Sequence, residues 1–159
     1  MIHVLFVCLG NICRSPLAEG VFKHQILENG LEKKIFVESA GTSGWHIGDR
    51  PDPRSIEVAR EHGIDLDSYG RKAISDDFAE FDYIIAMDQN NLADMRSLDG
   101  SSKKGAAKLY LMRDFDEIGK GQDVPDPYYG GDEGFNYVFE LLDRSSRNLL
   151  EEIKEKHQL

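Results

Sequence analysis

The chain has 159 residues, 40% hydrophobic and 30% charged, a balance that excludes a disordered polymer, and its apolar runs are strand-length, too short for membrane insertion. A formal net charge of −10 makes the surface as a whole repel anions, which argues against nucleic-acid partners, whose binding needs a basic face to replace phosphate counterions. Only two cysteines occur, Cys8 and Cys13, too few for a disulfide scaffold, and with no basic flank or long apolar segment at the start the expectation is a cytoplasmic protein with reduced thiols.

In chain order, residues 2–7 are β-branched and apolar and read as a buried strand. A polar, glycine-containing loop follows through Arg14. Ser15-Pro16 then reads as an N-cap with proline at the first helical position, and Leu17, Ala18, Val21, Phe22 and Ile26 recur at helical spacing until Asn29-Gly30. Residues 35–40 form a second strand. Residues 41–53 are a loop rich in glycine and proline that holds Trp45 and His46, and residues 54–62 a helix ended by Gly63. Residues 83–87 read as a third strand, 89–98 as a helix, 100–105 as a polar turn and 108–111 as a short strand. Phe135, Val138, Phe139, Leu142, Leu149, Leu150 and Ile153 lie on one face of a final amphipathic helix. Strands alternating with helices predict an α/β fold with a parallel sheet, as a single domain over residues 1–159. Ligands in such folds sit beyond the carboxyl ends of the strands, where Cys8 lies.

The segment Cys8-Leu9-Gly10-Asn11-Ile12-Cys13-Arg14-Ser15 has the form C-x5-R-S and lacks the Gly-Lys-Ser/Thr element of a nucleotide-binding loop. A short loop between a strand end and a helix N-terminus turns backbone N–H groups inward and makes an anion nest. A thiol in such a nest is favoured as the nucleophilic thiolate. Gly10 supplies conformational freedom, and Asn11 tolerates a left-handed backbone. Arg14 brings a planar fork that binds two phosphate oxygens at once. Ser15 either caps the helix or donates to the Cys8 sulfur. A phosphate ester also needs a proton for its leaving oxygen. Asp126, between Pro125 and Pro127 and beside the aromatic side chains of Tyr128 and Tyr129, is the candidate acid.

The stretch V-C-L-G-N-I-C-R-S-P and the later D-P-Y-Y-G together resemble the low-molecular-weight protein tyrosine phosphatases. The likeness continues through Ser39-Ala40-Gly41-Thr42-Ser43-Gly44, His62-Gly63-Ile64, Phe81-Asp82-Tyr83-Ile84 and Met87-Asp88, nearly the whole chain. It implies a three-layer, flavodoxin-like fold with a four-stranded parallel sheet flanked by helices. It also implies hydrolysis of protein phosphotyrosine without metal or cofactor. Cys8 would form a phosphocysteine, Arg14 and the loop amides from Leu9 to Ser15 would hold the phosphoryl group, and Asp126 would serve as acid and then base. Asn11, Ser15, Ser39 and His62 match the family's supporting hydrogen-bond network, although His62 otherwise reads as a helix-end histidine. Trp45 falls where the family has an aromatic wall, the alternative being a core anchor. Cys13 is either a small packing residue or a partner that forms a disulfide with Cys8 on oxidation. Related chemistries compete. Arginine phosphatases of this fold carry threonine at the place of Ile12, arsenate reductases need further cysteines downstream, and phosphocysteine carriers need neither Arg14 nor Asp126.

Overall fold

Val4, Leu5, Phe6 and Val7 are all fully buried, so strand β1 (Ile2–Cys8) must be covered on both faces. That is the behaviour of a central strand in a parallel sheet sandwiched by helices. The computed structural model, which describes residues 1–99, 108–128 and 131–159 without the side chains of Lys108 and Asp132, has this arrangement. Among the described residues, β2 (Ile35–Gly41), β1, β3 (Tyr83–Ala86) and β4 (Lys108–Leu111) lie in the order β2-β1-β3-β4, all parallel.

Alternation along β1 divides the interior in two. Val4 and Phe6 face one core, shared with Leu17 and Phe22 of α1 (Arg14–Glu28), Val58 of α2 (Pro53–Glu61) and Phe135 and Leu142 of α5 (Gly131–His157). Leu5 and Val7 face the other, with Phe78 of α3 (Asp77–Glu80), Phe81, Ile84 and Met95 of α4 (Gln89–Asp99). Helices therefore cover both faces of the sheet, giving three layers. No described helix is long and apolar enough to cross a membrane.

The strand order reverses at β1: its crossover leads to β2 on one side, while β3 lies on the other. Chains leaving the carboxyl ends of β1 and β3 diverge there and open a crevice, the usual ligand position of such a sheet. Cys8 ends β1 opposite Gly41, and Asp88 follows β3 by two residues.

Two local expectations change. Helix α1 begins at Arg14 with Cys13 in the N-cap position and no side-chain cap, so Ser15 lies inside the first turn instead of capping it. Pro16 is tolerated there because first-turn N–H groups have no intrahelical acceptor. The four-residue α3 and a single 3-10 turn (Met112–Phe115) are too short to leave a periodic signal. The polar turn expected at 100–105 lies outside the described residues.

Candidate active site

The loop after β1 is held by its carbonyls. Cys8 O accepts from Thr42 N at 2.9 Å, Leu9 O from Ser43 N at 2.9 Å, Ile12 O from Asp52 N at 2.8 Å, and Cys13 O from Leu17 N and Ser55 Oγ at 3.3 Å each. The amides of residues 9–13 have no acceptor among the described residues. With the carbonyls engaged by the scaffold, those amides and the uncapped N-terminus of α1 form the anion nest. Asn11 takes the left-handed conformation, with φ 58°. Gly10 is outside that region. Its lack of a side chain makes room, since a Cβ there would lie 3.1 Å from Cδ2 of His46. Gly41 does the same on the far side, where a Cβ would meet Leu9 O at 2.8 Å.

The Cys8 sulfur is 2.9 Å from Ser15 Oγ, so of its two possible roles the serine takes the one at the sulfur. Ser15 is in turn fixed by Asn11, whose Nδ2 donates to Ser15 Oγ at 2.8 Å and to Ser39 Oγ at 3.0 Å. Asn11 Oδ1 accepts from Arg71 N. Ser39 Oγ in turn donates to Glu19 Oε1 at 2.6 Å, and Lys23 pairs with the other carboxylate oxygen. His62 stands apart from this network. Its Nδ1 bonds to Val58 O within the end of α2, and its ring stacks on Phe139 with centroids 3.8 Å apart. As the C-cap of α2, His62 is directed to the helix end, and Glu19 occupies the far end of the chain of hydrogen bonds.

Arg14 is almost fully buried, with Nη1 donating to Asp88 Oδ2 at 2.7 Å and to Val124 O at 2.9 Å. Its Nη2 is 3.8 Å from Asp126 Oδ2. Burial works against the guanidinium charge, but Cys8, Asp88 and Asp126 outweigh it and hold the group more firmly protonated than usual. The two carboxylates differ in their freedom. Asp88 also receives Asn91 N at the start of α4 and is mostly buried, whereas Asp126 is about half exposed and bonded by Oδ1 to Tyr128 N.

These groups face a pocket of about 240 Å³ lined by Cys8, Leu9, Gly10, Ile12, Cys13 and Arg14 below and by Trp45, His46, Asp126 and Tyr128 around its mouth. Trp45 is 75% exposed, which removes the core-anchor reading. Tyr128 packs its ring against Arg54, 5.4 Å from the guanidinium, and Arg54 also lies over Phe135. Tyr129 lies outside the described residues. Burial pushes the Cys13 thiol up to about 12, assisted by Asp52, Cys8 and Asp126 and opposed by Arg54. Both cysteines are free and buried. Among the described residues no three His, Cys, Asp or Glu side chains gather as a metal site. Sequence reasoning missed His46 and Glu19, and gave Asp88 no part in holding Arg14. Only Asp88 carried a usable signal, as the first acid beyond the carboxyl end of β3.

A thiol at the floor of an amide nest, backed by a buried arginine and overlooked by a half-exposed carboxylate, is equipped for one class of chemistry, that of the cysteine-dependent phosphatases. Residues 3–159 match the family described as low molecular weight phosphotyrosine protein phosphatase. A phosphatase so named from Schizosaccharomyces pombe is 44% identical over 153 residues, 96% of this chain and 97% of that protein. The crystal structure of a protein tyrosine phosphatase from Entamoeba histolytica superposes with a TM-score of 0.90 at 42% identity, covering all of both chains. That of a Drosophila arginine phosphatase gives 0.88 at 34% identity, covering 95% of this chain and 97% of the other. The chain belongs to the low molecular weight phosphotyrosine protein phosphatase family.

Proposed function

We propose that this chain, acting as one domain over residues 1–159, hydrolyses phosphotyrosine in proteins through a phosphocysteine intermediate, with Cys8, Arg14 and Asp126 as the catalytic groups. The observation that carries the reading is their convergence on one pocket whose mouth is flanked by the rings of Trp45 and Tyr128. The Cys8 thiolate attacks phosphorus while the tyrosyl oxygen departs and takes the proton of Asp126. Arg14 and the free amides of the loop hold the three remaining phosphoryl oxygens as charge shifts onto them. Water then attacks the phosphocysteine, the Asp126 carboxylate takes its proton, and the sulfur leaves as thiolate beside Ser15 Oγ. Inorganic phosphate is the product.

The likeness to the Drosophila arginine phosphatase favours a second reading, hydrolysis of protein phosphoarginine. Against it stands Ile12, an apolar pocket residue with no hydroxyl to meet a phosphoramidate nitrogen. Purified enzyme, assayed in the presence of a chelator, should release phosphate from a phosphotyrosine peptide at a much higher kcat/KM than from a phosphoarginine protein. Cys8→Ser should abolish both activities. A preference for phosphoarginine, or turnover by Cys8→Ser, refutes the proposal.

A further inference from the structure

The segment that delivers Asp126 is anchored by charged groups buried well behind the pocket. Asp116 is fully buried and accepts four hydrogen bonds: Oδ1 from Ile118 N at 3.1 Å and Arg144 Nε at 2.8 Å, and Oδ2 from Arg113 Nε at 2.8 Å and Arg144 Nη2 at 3.0 Å. Arg144 belongs to α5 and Arg113 to the 3-10 turn after β4, so one carboxylate joins two elements. Burial alone would favour a neutral Asp116, but Arg144, Ile118 N and Arg113 overcome it and keep the carboxylate charged. Arg113 is then free to turn its other edge outward. Its Nη1 donates to Asp123 O at 3.1 Å and reaches Gln122 Oε1 at 3.4 Å, while its own carbonyl accepts from Gly121 N. Residues 119–123 thus wrap around one guanidinium, tightly enough that a Cβ on Gly119 would lie 1.8 Å from Arg113 Nη2.

What lies immediately beyond is the catalytic segment. Asp123 Oδ1 accepts from Gln89 N, Val124 N donates to Met87 O, and Val124 O accepts from Arg14 Nη1. Asp126 follows two residues later, across Pro125, whose ring restricts the backbone between them. The peptide held by Arg113 is therefore adjacent to the one that receives the phosphate-binding arginine, and both lie at the root of the acid's short arm.

We propose that Arg113, locked by Asp116 and Arg144, is a positioning residue that sets the register of the Asp123–Val124 backbone and through it the placement of Asp126 over the leaving oxygen. The proposal rests on Asp126 being the acid. Arg113 is not among the described residues that line the pocket, so its effect reaches the reaction through the segment it holds.

A structural prop and a positioning residue differ in what they do to leaving-group dependence. Single-turnover phosphorylation would be measured for wild type, Arg113→Met, Gly119→Ala and Asp126→Ala across aryl phosphates from phenyl to dinitrophenyl, alongside thermal melting. Misplacing the acid by a fraction of its reach should slow the phenyl ester roughly ten- to a hundredfold and leave the dinitrophenyl ester near the wild-type rate, because a good leaving group needs no proton. The slope against leaving-group acidity then steepens toward that of Asp126→Ala. Gly119→Ala displaces the guanidinium while leaving Arg113 and Asp116 intact, and it carries the test if Arg113→Met does not fold. If Asp126→Ala itself gives a uniform defect across the series, the acid assignment fails. If Asp126→Ala steepens the slope and the Arg113 and Gly119 variants keep the wild-type slope, whatever their melting temperatures, the positioning role is overturned.

Discussion

Asn11 offers a way to separate backbone strain from hydrogen bonding within the catalytic loop. Its side chain makes three hydrogen bonds, buried ones to Ser15 Oγ and Ser39 Oγ and a partly buried one from Arg71 N, while its backbone sits at φ 58°. Replacement by alanine removes all three bonds at about 0.5–1.5 kcal/mol each and leaves Arg71 N without its acceptor. It also leaves a Cβ in the left-handed region without the short polar side chain that lets asparagine tolerate it, at a cost of about 1–2 kcal/mol. Asn11→Ala should therefore destabilise the protein by roughly 3–5 kcal/mol, a large part of a stability typical for its size. Asn11→Gly loses the same bonds without the steric penalty, while glycine's extra freedom when unfolded gives back about 0.4–1 kcal/mol of the difference. The glycine variant should remain the more stable by roughly 0.5–1 kcal/mol, measured by urea denaturation. In kcat the two should fall alike, because in both Ser15 Oγ loses the donor that fixes it beside the Cys8 sulfur. An alanine variant at least as stable as glycine would refute the conformational argument. Wild-type kcat in Asn11→Gly would reduce the network to scaffolding.

Ile12→Thr should shift the ratio of kcat/KM values toward phosphoarginine over phosphotyrosine; an unchanged ratio places selectivity at Trp45 or Tyr128 instead. Peroxide should convert Cys8 to a sulfenic acid, whose sulfur the Cys13 thiolate attacks as the S–O bond breaks and hydroxide leaves, giving a disulfide that dithiothreitol reverses. Because burial keeps Cys13 a neutral thiol at ordinary pH, the closure rate should climb roughly tenfold per pH unit up to its pKa of about 12. A pH-independent closure, or equal recovery of Cys13→Ser after peroxide, refutes this role. Asp116 binds its proton less readily folded than unfolded, so its stabilisation is full above the ordinary carboxylate value of 3.8 and is lost as pH falls below it. The stability gap between wild type and Asp116→Asn should accordingly be widest near neutrality and narrow below about pH 4, and a gap that widens in acid contradicts the linkage.

Much of this architecture could be read from the residues because the signals were local and redundant. β1 carries four consecutive buried apolar residues, and α5 repeats its apolar face over many turns, so period and burial agree. The loop chemistry was legible because cysteine, arginine and the left-handed asparagine fall between two such elements. What escaped was long-range. Asp88 meets Arg14 across 74 positions, a spacing that leaves no periodic trace, and the bond from Asn11 to Ser39 across 28 was legible through the family resemblance alone. His62 misled for the same reason: its place beside Gly63 fits a helix stop and a network member equally well, and only the stack on Phe139 of α5 decides between them. Nothing local in the sequence tells that Arg113 and Asp116 are both buried.

The acidity of the chain makes the division of labour at the site intelligible. Arg14 is the one lysine or arginine lining the described pocket, and it is already shared between the Cys8 thiolate, Asp88 and Asp126. With both carboxylates ionised, the side-chain charge around the loop is net negative, and a phosphate dianion would enter against it. Asp88 is tied to Arg14 and to Asn91 N, which fixes its place behind the loop. Asp126 is half exposed and its side chain accepts from the Tyr128 amide, so in the proposed mechanism it is the carboxylate free to reach the leaving oxygen. Attraction for the phosphate therefore falls to the open amides of residues 9–13, which attract an anion without adding a countercharge for the thiolate to lose. A lysine in place of Asp88 would add attraction for phosphate, yet it would free Arg14 from the partner that aims it, and bidentate holding of the phosphoryl oxygens would be given up for charge alone.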